Sequence, residues 1–117
     1  MNILKMSKTR FYRLAMLVTE LQQSETAEYK NSVMCLINCL ILGSEDVLSR
    51  HVMRSELITL GFLAIIEPYR PVADPELMTQ INVFDNHRMV DDDQLDLTEE
   101  KPIHDLLMIF LQKVLSV

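Results

Sequence analysis

Glycine is scarce in this chain: there are only 2 in 117 residues, with 4 prolines, 2 cysteines and no tryptophan. Two isolated glycines cannot build a phosphate-cradling loop, which needs several close backbone approaches. So few turn formers also leave little room for β-hairpins, and an all-α chain is expected. No apolar run approaches the roughly 18 residues that a membrane helix needs. The opening "MNILKMSKTRF" lacks the apolar core and small-residue cleavage site of a secretory signal. The two cysteines, Cys35 and Cys39, have no His or third Cys beside them, so they make no zinc site. Their helical Cβ directions suit a disulfide poorly. Reduced thiols in a cytoplasmic protein are the expectation.

Hydrophobic residues make up 49% of the chain and charged ones 24%, a globular balance that bounds the chain to one domain. The net charge of −6 argues against nucleic acid and anionic membranes as partners. Charge is uneven along the chain. Lys5, Lys8, Arg10 and Arg13 cluster at the start and read as a solvated helix face or a contact for an acidic partner. Asp91, Asp92, Asp93, Asp96, Glu99 and Glu100 crowd the stretch 91–100, which reads as a linker or frayed helix. The 8 methionines are expected mainly in the core, where their flexible thioethers fill gaps.

Periodicity divides the chain into about six helices. Residues 8–23 place Phe11, Leu14, Ala15, Val18 and Leu21 on one face. A second helix, 25–42, is apolar nearly all round through Val33, Met34, Leu36, Ile37, Leu40 and Ile41, so it is expected between neighbours. Gly43 is the expected left-handed stop and Ser44 the next N-cap. A third helix turns Leu48, Val52, Met53, Leu57 and Leu60 inward and stops at Gly61. A short apolar helix, "FLAIIEPYR", follows, limited by Pro68 and Pro71. Asp74 then caps a helix that opens on Pro75, carries Leu77, Ile81, Phe84 and Arg88, and runs to about Met89. A last helix after Pro102 bears Ile103, Leu106, Leu107, Phe110, Leu111, Val114 and Leu115. The pattern is one of stacked helical hairpins, whose units bury their faces on one another.

Catalytic chemistry finds no foothold. His51, His87 and His104 have no nucleophile at motif spacing. His87 with Asp91, Asp92 and Asp93 offers acids for a divalent cation, but "DDDQLDLTEE" has neither the glycine nor the twelfth-position glutamate of a calcium loop. Arg50 and Arg54 share a helix face; surface ion pairing is the bland reading, and with Glu56 they also read as architectural, holding the helix against its neighbour. No enzyme activity, cofactor or metal is expected.

The stretch "LINCLILGSEDVLSRHVMRSELITLG", residues 36–61, resembles the armadillo-type inhibitory region of diaphanous-related formins, part of their formin homology 3 region. The likeness is carried by Leu36, Ile37, Asn38 and Cys39, by Glu45 and Asp46, and by Arg50, Arg54, Glu56, Leu57, Leu60 and Gly61 in ungapped spacing. "LINCLILGSEDV" is also similar to the inverted-formin branch. "DPELMTQINVFDNHRMVDDDQL" continues the likeness, and "PIHDLLMIFLQKVLS" is similar to the start of the family's dimerisation region. The resemblance implies armadillo-like repeats over 1–90, an acidic linker over 91–101 and a dimerisation-region helix over 102–117. It implies a regulatory, cytoskeleton-associated module whose groove takes the amphipathic autoregulatory helix from the formin's own C-terminus and so restrains actin assembly. Actin would be an indirect partner, and a Rho-type GTPase would bind only in the full-length context, because the earlier repeats and GTPase-binding segment have no counterpart here. The chain then reads as a fragment or truncated product.

Cys35, Cys39 and Leu42 fall at i, i+4 and i+7 on the second helix, with Asn38 beside them and free to bond a partner backbone. These four are the candidate partner-binding residues. The resemblance adds that the position of Cys39 is usually a small Ala in the groove wall. Two readings of the thiols stand at this point: groove lining, or ordinary core packing. An unrelated helical adaptor or oligomerisation module is the alternative function. Because a stacked-hairpin chain exposes apolar surface to missing neighbours, the isolated chain is expected to self-associate or to fold only marginally. Sedimentation and calorimetry check this; a monomer that melts sharply would contradict it.

Overall fold

The computed structural model describes residues 3–97 and 100–115, and the side-chain surroundings of residues 11–96 and 107–115. The elements in order are α1 (Ile3–Gln23), α2 (Ala27–Leu42), α3 (Val47–Thr59), α4 (Phe62–Ile66) continued by a 3-10 turn (Glu67–Tyr69), α5 (Pro75–Leu97) and α6 (Glu100–Leu115). This is the all-α stack that the periodicity predicts, and the armadillo-like fold that the resemblance implies. The radius of gyration is 15.0 Å, with extents of 41 × 32 × 22 Å. A compact ball of this length would have a radius nearer 13 Å, so the helices form a slab.

One apolar layer runs through the slab. Leu14, Val18 and Leu21 of α1 meet Val33, Met34, Ile37 and Ile41 of α2. Met53 and Leu57 of α3, Phe62 and Ile66 of α4, and Leu77, Ile81 and Phe84 of α5 complete it. The Phe62 and Phe84 rings sit tilted at 50° with centroids 4.8 Å apart, a favourable aromatic geometry. The methionines divide: Met34 and Met53 are buried, whereas Met16, Met89 and Met108 stay exposed. Lys30 is buried, with no carboxylate partner among the described residues. Its ammonium donates to the Leu21 carbonyl and the Ser24 hydroxyl and lies 4.2 Å from the centre of the Tyr69 ring. A cation at the negative end of α1, shielded by an aromatic face, is thereby accommodated.

Several expected boundaries move, each for a local reason. Glu25 does not start α2; Thr26 caps it, its hydroxyl accepting the Tyr29 amide at 3.1 Å. Gly43 is right-handed at φ −72°. Its value is space, since a Cβ there would lie 3.2 Å from the Cys39 carbonyl oxygen. Ser44 is occupied in closing α2, its amide reaching the Ile41 carbonyl, and Asp46 takes the N-cap instead. The Asp46 carboxylate accepts the Ser49 amide at 2.6 Å, and that bond holds its pKa below the ordinary carboxylate range. Gly61 is the left-handed stop, at φ +91°. Asp74 caps α5 as expected, accepting the Leu77 amide at 2.8 Å. In α6, Val114 is buried and Leu115 exposed, which narrows the expected stripe. The side chains of Lys5, Lys8, Arg10, Ile103, His104 and Leu106 lie outside the described residues.

The acidic stretch departs most from expectation. α5 does not end near Met89; it continues to Leu97. Asp91 explains why. Its side chain is buried, and it accepts from Arg50 Nε at 2.9 Å, Arg50 Nη2 at 3.1 Å and Arg54 Nη1 at 2.7 Å. Arg50 also donates through Nη1 to the Ser44 and Glu45 carbonyls at 2.9 and 3.0 Å. Arg54 is itself 2% exposed. Of the two readings the architectural one describes these arginines: they join the α2–α3 turn, α3 and α5 at one carboxylate rather than forming surface pairs. Helix is the conformation that delivers that carboxylate.

Burial alone would raise the Asp91 pKa, but the hydrogen bonds and charges of Arg50 and Arg54 outweigh it and hold the group below the ordinary range. A depressed folded-state pKa stabilises the fold fully above the unfolded value, about 4, and the contribution is lost as pH falls through the folded value. Asp91→Asn leaves Arg54 short of its acceptor, while its Nε and Nη2 already lack one. A loss of about 3 kcal/mol is expected. Urea denaturation at neutral pH and again below about pH 4 checks it: the deficit of the variant should shrink in acid.

Candidate partner-binding face

Helix α2 presents two different faces. Val33, Met34, Ile37, Asn38 and Ile41 point inward. Cys35, Leu36, Cys39, Leu40 and Leu42 point outward, with Leu36 48%, Leu40 41% and Leu42 42% exposed. The expectation of a helix buried on nearly all sides is therefore corrected. Its circumference is apolar because one half packs in the core and the other half forms an open apolar row. Cys35 and Cys39 are exposed thiols, so the core-packing reading does not describe them. The neighbouring Cys39 thiol pushes the Cys35 pKa above its ordinary value.

Asn38 sits elsewhere. It is 4% exposed, and its Nδ2 donates to the Gln80 backbone carbonyl at 2.9 Å and to Gln80 Oε1 at 3.0 Å. The expected bond from Asn38 to a partner backbone is thereby corrected, because both amide hydrogens are spent inside the fold. Asn38 pins α2 to α5. Asn31 reaches Glu76 more loosely on the same seam, at 3.4 Å. Residue numbers rise together along these contacts, so α2 and α5 lie side by side in the same direction. A row on α2 is thus held beside a second long helix.

Helix α1 extends the apolar row on its other flank. The Tyr29 hydroxyl donates to Glu20 at 2.8 Å, which fixes the edge along which α1 and α2 meet. Tyr12, Met16 and Glu20 follow one another at i, i+4 and i+8 on α1, and Tyr12 and Met16 are 66% and 52% exposed. Leu36, Leu40, Tyr12 and Met16 were not legible as surface residues, because apolar residues at helical spacing ordinarily mark a core. The signal available was their excess: α2 carries more apolar residues than one buried face can hold.

The Asp91 oxygens are taken by arginines, and Asp92 lies 3.5 Å from His51 and 3.9 Å from Arg88. Among the described residues no group of three metal-ligating side chains forms. No helix there is long and apolar enough to cross a membrane. What the arrangement offers is an apolar surface with small residues at its centre, suited to close approach by another helix.

The model of the Diaphanous FH3 Domain family matches residues 1–110. Inverted formin-2 of Xenopus laevis is 30% identical over 91 residues, covering 78% of this chain and 8% of the relative. Formin-H of Dictyostelium discoideum is 34% identical over 86 residues, covering 72% of the chain and 8% of the relative. Formin-E of the same organism is 32% identical over 90 residues, or 75% of the chain and 6% of the relative. No solved structure matches the chain. The chain thus spans under a tenth of the length of these relatives.

Asn38→Ala removes two buried hydrogen bonds without stranding a charge. A stability loss of about 1–2 kcal/mol is expected, read from the midpoint of urea denaturation. No loss would show that the α2–α5 seam does not depend on the amide.

Proposed function

The chain belongs to the Diaphanous FH3 domain family, a regulatory module of formins, and from that membership we propose that its α2 face receives an amphipathic helix from the formin's own C-terminus. Docking of that autoregulatory segment restrains actin assembly by the rest of the protein. The observation that supports this reading is the half-exposed apolar row Cys35, Leu36, Cys39, Leu40 and Leu42 on a helix whose other face is buried. A docking helix needs such a row, because desolvating apolar area supplies most of the affinity while flanking polar groups set orientation. Small thiols at its centre let two helix backbones approach. Cys39 contributes closeness, and Leu36, Leu40 and Leu42 contribute area.

The module works without catalysis. Its partners in the full-length protein are the autoregulatory helix directly, a Rho-type GTPase through the neighbouring repeats, and actin indirectly. The setting is cytoplasmic and cytoskeletal. The helix 100–115 leads toward the dimerisation region, and self-association of the isolated chain uses the apolar surface that α1 and α6 leave open.

Cys39→Asp tests the reading. The position is exposed, so the fold tolerates the charge, whereas a docked helix would bury it. In titrations with the formin's C-terminal autoregulatory peptide, the wild-type chain binds. The variant should bind roughly 30-fold more weakly or worse, a loss of about 2 kcal/mol. Unchanged affinity, or no binding by the wild-type chain, would overturn the proposal and favour an unrelated helical adaptor.

A further inference from the structure

Cys35 and Cys39 also have a chemistry of their own. Both thiols are free and exposed, one turn apart on the same side of an unbroken helix. Oxidation to an internal disulfide is geometrically blocked there. Residues at i and i+4 hold their Cβ atoms about 5–6 Å apart, whereas a disulfide needs about 3.5–4.5 Å. An ion placed between the sulfurs removes that conflict. Each metal–thiolate bond adds about 2.3 Å, so an S–metal–S bridge spans roughly 4.6 Å. Two parallel side chains on adjacent turns reach that separation without unwinding the helix.

The neighbourhood selects the ion. No third His, Cys, Asp or Glu joins the pair among the described residues. A tetrahedral zinc site is therefore not completed, and hard oxygen-seeking cations find nothing to hold. Two soft sulfur ligands with an open apolar surround of Leu36, Leu40 and Leu42 suit a thiophilic cation of low coordination number. We propose that Cys35 and Cys39 form a two-coordinate site for Cu(I). On binding, two S–H bonds break and two S–Cu bonds form. Two protons leave to solvent, the copper stays at +1, and no electron moves.

The test is an anaerobic titration of the reduced full chain with Cu(I), competed by the chromophoric chelator bathocuproine disulfonate. About one Cu(I) per chain and about two protons released are expected. Cys35→Ser and Cys39→Ser should each weaken binding at least about 100-fold, with unchanged helical circular dichroism because both positions are exposed. Zn²⁺ should compete poorly. Wild-type affinity in either serine variant, half an ion per chain through sulfurs shared between two copies, or zinc binding as tight as copper would each overturn the site.

Discussion

The side-by-side packing of α2 against α5 is the constraint on which the rest of this structure depends. It is fastened by Asn38 on Gln80, and the C-terminal half of α5 is fastened by Arg50 and Arg54 on Asp91. These fastenings are polar and directional. Apolar packing alone tolerates sliding and rotation of one helix on another, because one Leu–Ile contact is worth much the same as the next. A buried amide that must find a particular carbonyl fixes rotation. With Asn38 pointing at α5, the helical repeat sends Leu36 and Leu40, two positions to either side of it, to the open side. The surface is therefore set by a residue that takes no part in it.

The Asp91 cluster shows how such a fastening survives its own cost. Burying three charged groups is expensive, and a single buried pair often gives no net stability. Here the ledger of charges is uneven, two guanidinium groups to one carboxylate, and Arg50 makes up the difference on the Ser44 and Glu45 carbonyls of the α2–α3 turn. Lys30 repeats the device at the end of α1, again with a carbonyl, a hydroxyl and here an aromatic ring in place of a carboxylate. Arg70 ties the 3-10 turn to α5 through Asp85 at 2.6 Å and to Glu67 at 2.8 Å. Short helices that cannot each own a core are joined at their ends by basic side chains.

Much of the fold was legible because helix periods are local. Leu14, Val18, Leu21, Leu57, Ile81 and Phe84 fall inward as their spacing requires, and Asp74 with Pro75 announces α5 through capping chemistry. What failed was whatever depended on a partner distant in sequence. The run of aspartates looked solvated because its neighbours in the chain are acidic; Asp91 is buried because its neighbours in space are Arg50 and Arg54, some 37 to 41 residues away. Asn38 looked like a polar member of an open face because nothing local claimed its amide. Ser44 lost its cap to Asp46 because the preceding helix used it first. Local signals fixed which residues share a face, and long-range bonds decided which face is open.

The open apolar row sits within a wider excess of surface. The chain exposes 7596 Å², against roughly 6,600 Å² for a compact monomer of its mass. A slab this thin cannot cover both of its broad sides, so apolar residues such as Tyr12, Met16, Met89 and Val90 remain at the surface in addition to the α2 row. In a ball that much exposure would signal a packing defect. In a stack it is what each unit offers its neighbour, and the same geometry that makes repeats stackable leaves a continuous strip available to a foreign helix. Stacking and recognition thus draw on one property: helices with apolar residues on more faces than their own unit can bury.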